Sequence, residues 1–239
     1  GRMGDVVRGN SGTQKIGGLS GPNLAKEIAA GQMTGTVIAS ANDQVRQRAI
    51  ELLKSPSFRV YENRDSTGVE LAGALKNIYA IVCGLAKALN VGENTMSMIM
   101  TRSLAEMSRF AVHFGANPMT FLGLAGMGDL IATCTSPLSR NYRVGFAIGS
   151  GQNLDEAIGG IGEVAEGVNT LKMVVDEAKK HGLYMPLAEG RSTLLFGGAK
   201  LESLIGSRMT GGQKWAVECA ASEENSNVEA GLCKSSFLV

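Results

Sequence analysis

The rhythm of apolar and polar positions changes near residue 67. Before it, three short strand-like runs, Ile16 to Ser20 (IGGLS), Thr36 to Ser40 (TVIAS) and Phe58 to Tyr61 (FRVY), alternate with two helix-like stretches, NLAKEIAAG and NDQVRQRAIELLKS. The second stretch has Asn42 as a candidate N-cap and sets Val45, Ala49, Leu52 and Leu53 along one side, as in a helix with one buried face. Strands alternating with helices predict an α/β layer with some parallel pairing. The first fifteen residues carry no periodicity and predict no element.

From Thr67 every long periodic segment reads as helix. The stretch Val69 to Lys87 is apolar almost all the way round, yet Lys76 and Asn77 stand in its middle. A membrane span needs about 20 apolar residues without a central charge, so this is expected to be a buried core helix. In ENTMSMIMTRSLAEMSRFAVHFG, Arg102, Glu106 and Arg109 have i,i+4 and i,i+3 spacing for ion pairs, and the methionines from Met96 to Met107 with Leu104 read as core. A glycine-rich turn follows, then a helix from about Pro137 to near Gly149. A further helix turns Val168, Leu171, Val175 and Ala178 inward and stops at Gly182, and a last one lies near LAEGRSTLLFGG. After Thr210 there is little to bury, and the tail is expected to be mobile.

With 239 residues, 44% hydrophobic and 19% charged, the chain can build a proper core. A net charge of +1 and no basic cluster give no footprint for nucleic acid or anionic membrane. Cys83, Cys134, Cys219 and Cys233 lack metal-ligand spacing, and no secretory pattern opens the chain. Reduced thiols, no metal and a cytoplasmic location are therefore expected. His113 and His181 both stand near apparent helix ends, where a cation suits the dipole, so a capping role is expected for each.

Candidate chemistry lies in the helical part. Positions three and four from Lys76 are Ala72, Gly73, Tyr79 and Ala80, none of them charged, and Glu70 is six residues back on another face. Lys76 must snorkel to water, find a partner elsewhere in the chain or meet a ligand. Asp129 in GLAGMGDLIATC, with Thr133 four residues on, is a candidate partner; the alternative, and the commoner role for such an aspartate, is a helix N-cap after a tight turn. SPLSRN puts Ser139, Arg140 and Asn141 at a helix start, which suits a phosphate or carboxylate cradle or, more blandly, a solvated first turn.

Taken together, SGPNLAKEIAAG, NRDSTGVELAGALKNIYAI, GLAGMGDLIATCTSPLSRN and EVAEGVNT occur in the order and approximate spacing of the soluble, bacterial NAD(P)-dependent glycerol-3-phosphate dehydrogenases. The chain resembles that family over roughly Ile16 to Glu189. The resemblance implies Lys76 as catalytic acid/base, with Asn77 beside it and Asp129 holding it. It implies substrate contacts from Gly21, Asn23, Thr133, Ser139, Arg140 and Asn141, with Asn23 standing where a hydroxyl residue is often found. Ala25, Val164, Glu166 and again Arg140 are implied on the side of NAD or NADP. Removing a hydroxyl proton as hydride leaves carbon needs an acid/base group, and a desolvated lysine suits that task.

The match also departs from the family. No G-x-G-x-x-G occurs in the chain, and nineteen residues precede Ser20 where the family places roughly a hundred, the scale of a nucleotide-binding half. The expected organisation is a partial Rossmann-type region over 1–66, later strands only, then an all-α substrate and catalytic domain over 67–210 and a mobile tail over 211–239. The expected function is hydride transfer between NAD(P) and sn-glycerol 3-phosphate or dihydroxyacetone phosphate, weak or absent for this chain alone. The alternative is a non-catalytic phosphometabolite-binding or helical interaction module. The partner is a small phosphorylated molecule, and unpaired strand edges predict self-association into a homo-oligomer.

Overall fold

The computed structural model of the chain describes residues 3–160 and 166–190. It opens with a helix, α1 (Met3–Ser11), where the sequence predicts none. No residue of α1 is buried: Met3, Val6 and Val7 share one side of the helix but all stay exposed, a stripe too short to mark an element by periodicity. Strands β1 (Gly18–Ser20), β2 (Thr34–Ala39) and β3 (Phe58–Asn63) form one sheet in the order β1-β2-β3. β2 and β3 are parallel, from Thr34 opposite Phe58 to Ala39 opposite Asn63, while β1 runs antiparallel to β2 with Gly18 opposite Ala39.

Helix α2 (Ala25–Ala29) joins β1 to β2, and α3 (Asp43–Leu53) is the crossover from β2 to β3. Asn42 caps α3 as expected, its Oδ1 accepting from Val45 N at 3.3 Å. The inward face differs from the expected one. Leu52 and Leu53 are exposed, and Arg46 is the buried residue of the helix. The surface facing α3 offers the Ser40 carbonyl, 2.5 Å from Arg46 Nη1, and the Glu62 carboxylate, 3.2 Å from Nε, so a cation anchors the helix where leucines were expected.

The helical part is built on α4 (Ser66–Ala88), surrounded by α5 (Glu93–His113), α6 (Asp129–Thr135), α7 (Arg140–Gly149) and α9 (Glu166–Lys180), with α8 (Leu154–Gly159) against α7. By length and composition α4 could cross a membrane, but 61% of its most apolar stretch is buried inside the molecule. It is the core helix of this fold, with Ala72, Leu75, Ile78, Tyr79, Ala80 and Cys83 enclosed. Asp65 caps it: Oδ1 accepts from Gly68 N at 2.8 Å, and Oδ2 accepts from Asn117 N at 2.9 Å and Thr120 Oγ1 at 2.8 Å. One carboxylate thus ties the start of α4 to the 3₁₀ turn Pro118–Leu122. α4 and α7 approach so closely that a Cβ on Gly84 would overlap the Tyr142 carbonyl, and one on Gly145 the Ile81 carbonyl.

The inward face of α9 is the expected one, with Val168, Leu171, Val175 and Ala178 all buried, and Gly182 ends it at a φ of 63°. Met96 and Met107 are core, but Met98 is exposed. α7 starts at Arg140, later than expected, because Ser139 caps it by accepting from Tyr142 N at 3.3 Å. Glu106, read from its spacing to Arg102 and Arg109 as an ion-pair partner along α5, also turns inward. It is buried and accepts from Tyr79 Oη at 3.0 Å, Leu187 N at 2.7 Å and Ala188 N at 3.2 Å. His113 and His181 stand at the ends of α5 and α9 with their rings 4.5 Å apart. Cys83 and Cys134 are free and buried, and among the described residues no group could hold a metal ion. Cys219, Cys233, the end of the last expected helix and the tail lie outside the described residues.

Candidate active site

Lys76 finds its carboxylate on α6. Nζ donates to Asp129 Oδ1 at 2.5 Å, with the lysine side chain 19% exposed and the aspartate 3%. Small neighbours on α4 make room for this contact: Gly73 lies so close to β1 that a Cβ there would stand 3.0 Å from Ser20 Oγ. Asp129 does not cap α6. It is the helix's first residue, placed by a π-helical turn (Leu124–Gly128) in which a Cβ on Gly126 would overlap the backbone of Phe121. π-Turns are rare and concentrate at functional sites. Thr133 Oγ1 lies 3.2 Å from Asp129 Oδ1 and 2.6 Å from its carbonyl, and Ser20 Oγ donates to Oδ2 at 3.4 Å. Burial pushes the Asp129 carboxyl above its usual range, against the opposing pull of Lys76, Thr133 and Ser20.

An open cavity of about 1290 Å³ has Lys76 and Asp129 in its wall. Gly21, Asn23, Ala25, Asn77, Thr133, Ser139, Arg140, Asn141 and Glu166 line the same cavity, so all but one of the expected site residues come together. Val164 lies outside the described residues. Gly21 has a φ of 153° and sits against β2, where a Cβ would stand 3.1 Å from Thr36 Cα. Asn23 donates from Nδ2 to Thr36 Oγ1 at 2.8 Å, while its buried Oδ1 has no hydrogen-bond partner.

The SRN segment divides its work. Ser139 caps α7, and Asn141 is buried with Oδ1 accepting from Gly167 N at 3.0 Å, which fixes the start of α9. Arg140 is 45% exposed, with Nη2 3.7 Å from Glu166 Oε1. Asn77 Nδ2 donates to Glu166 Oε2 at 3.4 Å. Ser20 belongs to the site although the sequence did not single it out; its position directly before Gly21 was the available signal. A lysine clamped by a buried carboxylate can exchange a proton with a bound hydroxyl or carbonyl oxygen, and a half-exposed arginine on the same cavity can hold an anion.

Residues 65–206 match the family model of the NAD-dependent glycerol-3-phosphate dehydrogenase C-terminus, and residues 1–46 match that of its N-terminus. A glycerol-3-phosphate dehydrogenase [NAD(P)+] of Pseudomonas fluorescens (strain Pf0-1) is 57% identical over 204 residues, covering 85% of this chain and 58% of that protein. The enzyme of the same name from Teredinibacter turnerae is 56% identical over 209 residues, covering 87% and 62%. Among solved structures, glycerol-3-phosphate dehydrogenase from Coxiella burnetii superposes with a TM-score of 0.79 at 39% identity, covering 82% of this chain and 60% of that one. The Saccharomyces cerevisiae enzyme superposes with a TM-score of 0.76 at 27% identity, covering 85% and 62%. The chain thus spans roughly three fifths of the length of these relatives.

Proposed function

This chain belongs to the NAD-dependent glycerol-3-phosphate dehydrogenase family, and we propose that its cavity takes sn-glycerol 3-phosphate and dihydroxyacetone phosphate, with Lys76 exchanging the proton at the C2 oxygen. The observation that carries this is the 2.5 Å contact of Lys76 with buried Asp129 in a cavity that also holds Arg140. On this reading residues 1–66 serve the nucleotide and 67–210 the substrate.

In the oxidising direction the Lys76 amine accepts the C2 hydroxyl proton, and the Asp129 carboxylate stabilises the ammonium as it forms. In the reducing direction the ammonium returns that proton to the carbonyl oxygen of dihydroxyacetone phosphate. Asp129 also fixes the position of Nζ, held in turn by Thr133 and Ser20. Arg140 takes the phosphate, an anion suited to its planar donor fork. When bound, NAD or NADP supplies the acceptor or donor of the hydride. The chain's residues fit the nicotinamide end of such a cofactor: Asn23 Oδ1 is a buried acceptor that a carboxamide N–H would satisfy, and Ala25 and Glu166 line the same cavity, which is far larger than a three-carbon phosphate needs. The glycine-rich turn that would hold the pyrophosphate is not among these 239 residues.

Titration calorimetry with glycerol 3-phosphate tests the substrate assignment. Arg140→Ala should weaken binding by about 1.5–3 kcal/mol, the worth of a hydrogen bond to a charged group. Affinity independent of Arg140 would remove the phosphate role.

A further inference from the structure

Glu166 stands where the proposed anion site least needs a negative charge. Its Oε1 is 3.7 Å from Arg140 Nη2 and its Oε2 is 3.4 Å from Asn77 Nδ2, so one carboxylate spans the first residue of α7 and the middle of α4. The backbone behind it is held firmly. Gly167 N donates to the buried Asn141 Oδ1, and a Cβ on Gly167 would crowd the Asn77 carbonyl, so the start of α9 is wedged against α4. The ion pair itself is loose: the two side chains are 45% and 59% exposed, and pairs of that kind contribute little. The backbone that carries Glu166 is thus fixed while its carboxylate is weakly bound, a combination that lets a stronger anion replace it.

We propose that Glu166 is a built-in competitor of the anion site, occupying Arg140 and Asn77 until a phosphate displaces it. The inference rests on the reading of Arg140 as the phosphate contact and adds a role for Glu166 that involves no nucleotide. A phosphate dianion offers Arg140 more acceptor oxygens and more charge than a single carboxylate, so it wins the exchange at the expense of part of its affinity. Replacing the carboxylate by an amide removes the competitor and its repulsion while keeping the shape.

The test is calorimetric titration of the purified chain with inorganic phosphate, without nucleotide, for the wild type, Glu166→Gln, Arg140→Ala and the double variant. Glu166→Gln should tighten phosphate binding about threefold to tenfold, and most of that gain should vanish in the Arg140→Ala background. Glu166→Ala should behave like Glu166→Gln, the side chain being 59% exposed, and equal denaturation midpoints of both variants and the wild type check that the fold is kept. An unchanged or weaker affinity in Glu166→Gln, with Arg140→Ala still costly, would overturn the competitor role and leave the phosphate site standing. Equal gains in both backgrounds would also overturn it, because they would reflect the general field of one charge. Phosphate binding indifferent to Arg140→Ala would bring down the substrate reading and this inference with it.

Discussion

Lys76 and Tyr79 are three residues apart on α4, and each meets a carboxylate from another helix, Asp129 on α6 and Glu106 on α5. The first pairing was legible in the sequence, because a helical lysine with no charge at i±3 or i±4 must look beyond its own helix. The second was not: Glu106 has arginines at ideal spacing on α5, and local pattern rules stop there. Only the fold shows that the carboxylate turns inward and accepts from the N–H groups of Leu187 and Ala188 at the start of a helical segment over 186–190. Burial pushes the Glu106 carboxyl from an ordinary 4.5 up to about 7, against the lowering pull of those N–H groups, Tyr79 and Arg109. The native state therefore holds this proton more tightly than the unfolded chain. Its contribution is most favourable below pH 4.5, declines as pH rises and levels off above about 7, a loss on the order of 3 kcal/mol. Glu106→Gln cannot titrate, so the difference between wild-type and variant unfolding free energies should slope across that window and be flat outside it. Parallel stability curves from pH 4.5 to 7 would contradict the assignment.

At the scale of elements, the three strands and α4, α5, α7, α8 and α9 follow from the patterns of the sequence, with edges shifted by a few residues, whereas α6 lies in a stretch read only as a glycine-rich turn before the helix at Pro137. α1 escaped because it packs no apolar face, and the inward side of α3 was misread because a buried arginine carries no hydrophobic signal. The site residues converge because α4 lies in contact with α6, α7 and α9, and each supplies its first residue: Asp129, Arg140 and Glu166. Close approach of α4 and α7 requires Gly84 and Gly145, whose role the sequence only hinted at through its glycine content. Gly145→Ala would drive a methyl into the Ile81 carbonyl, and the helices must separate to admit it. The expected loss is about 3 kcal/mol or more, at the upper end of overpacking costs, read as a lowered midpoint in denaturant melts. A midpoint equal to the wild type would show that the α4–α7 contact is slack.

For the whole molecule, the family match and the fold agree in bringing the motif residues to one cavity, while no G-x-G-x-x-G turn of the kind that holds a pyrophosphate occurs among these 239 residues. Orienting a cofactor against its substrate is worth about 7–11 kcal/mol. The 239-residue polypeptide by itself should therefore show only trace reduction of dihydroxyacetone phosphate with NADH or NADPH. β1 and β3 each offer an unpaired edge among the described residues, and light scattering should show association that grows with concentration. The central claim is that Lys76, held by Asp129, moves the proton at C2. Its most direct test joins this chain to the N-terminal portion of the Pseudomonas fluorescens relative and compares steady-state reduction of dihydroxyacetone phosphate with and without Lys76→Ala. The account predicts activity in the joined protein and a fall in kcat of about 10²–10⁴-fold in the variant. A joined protein that keeps its kcat without Lys76 would contradict it.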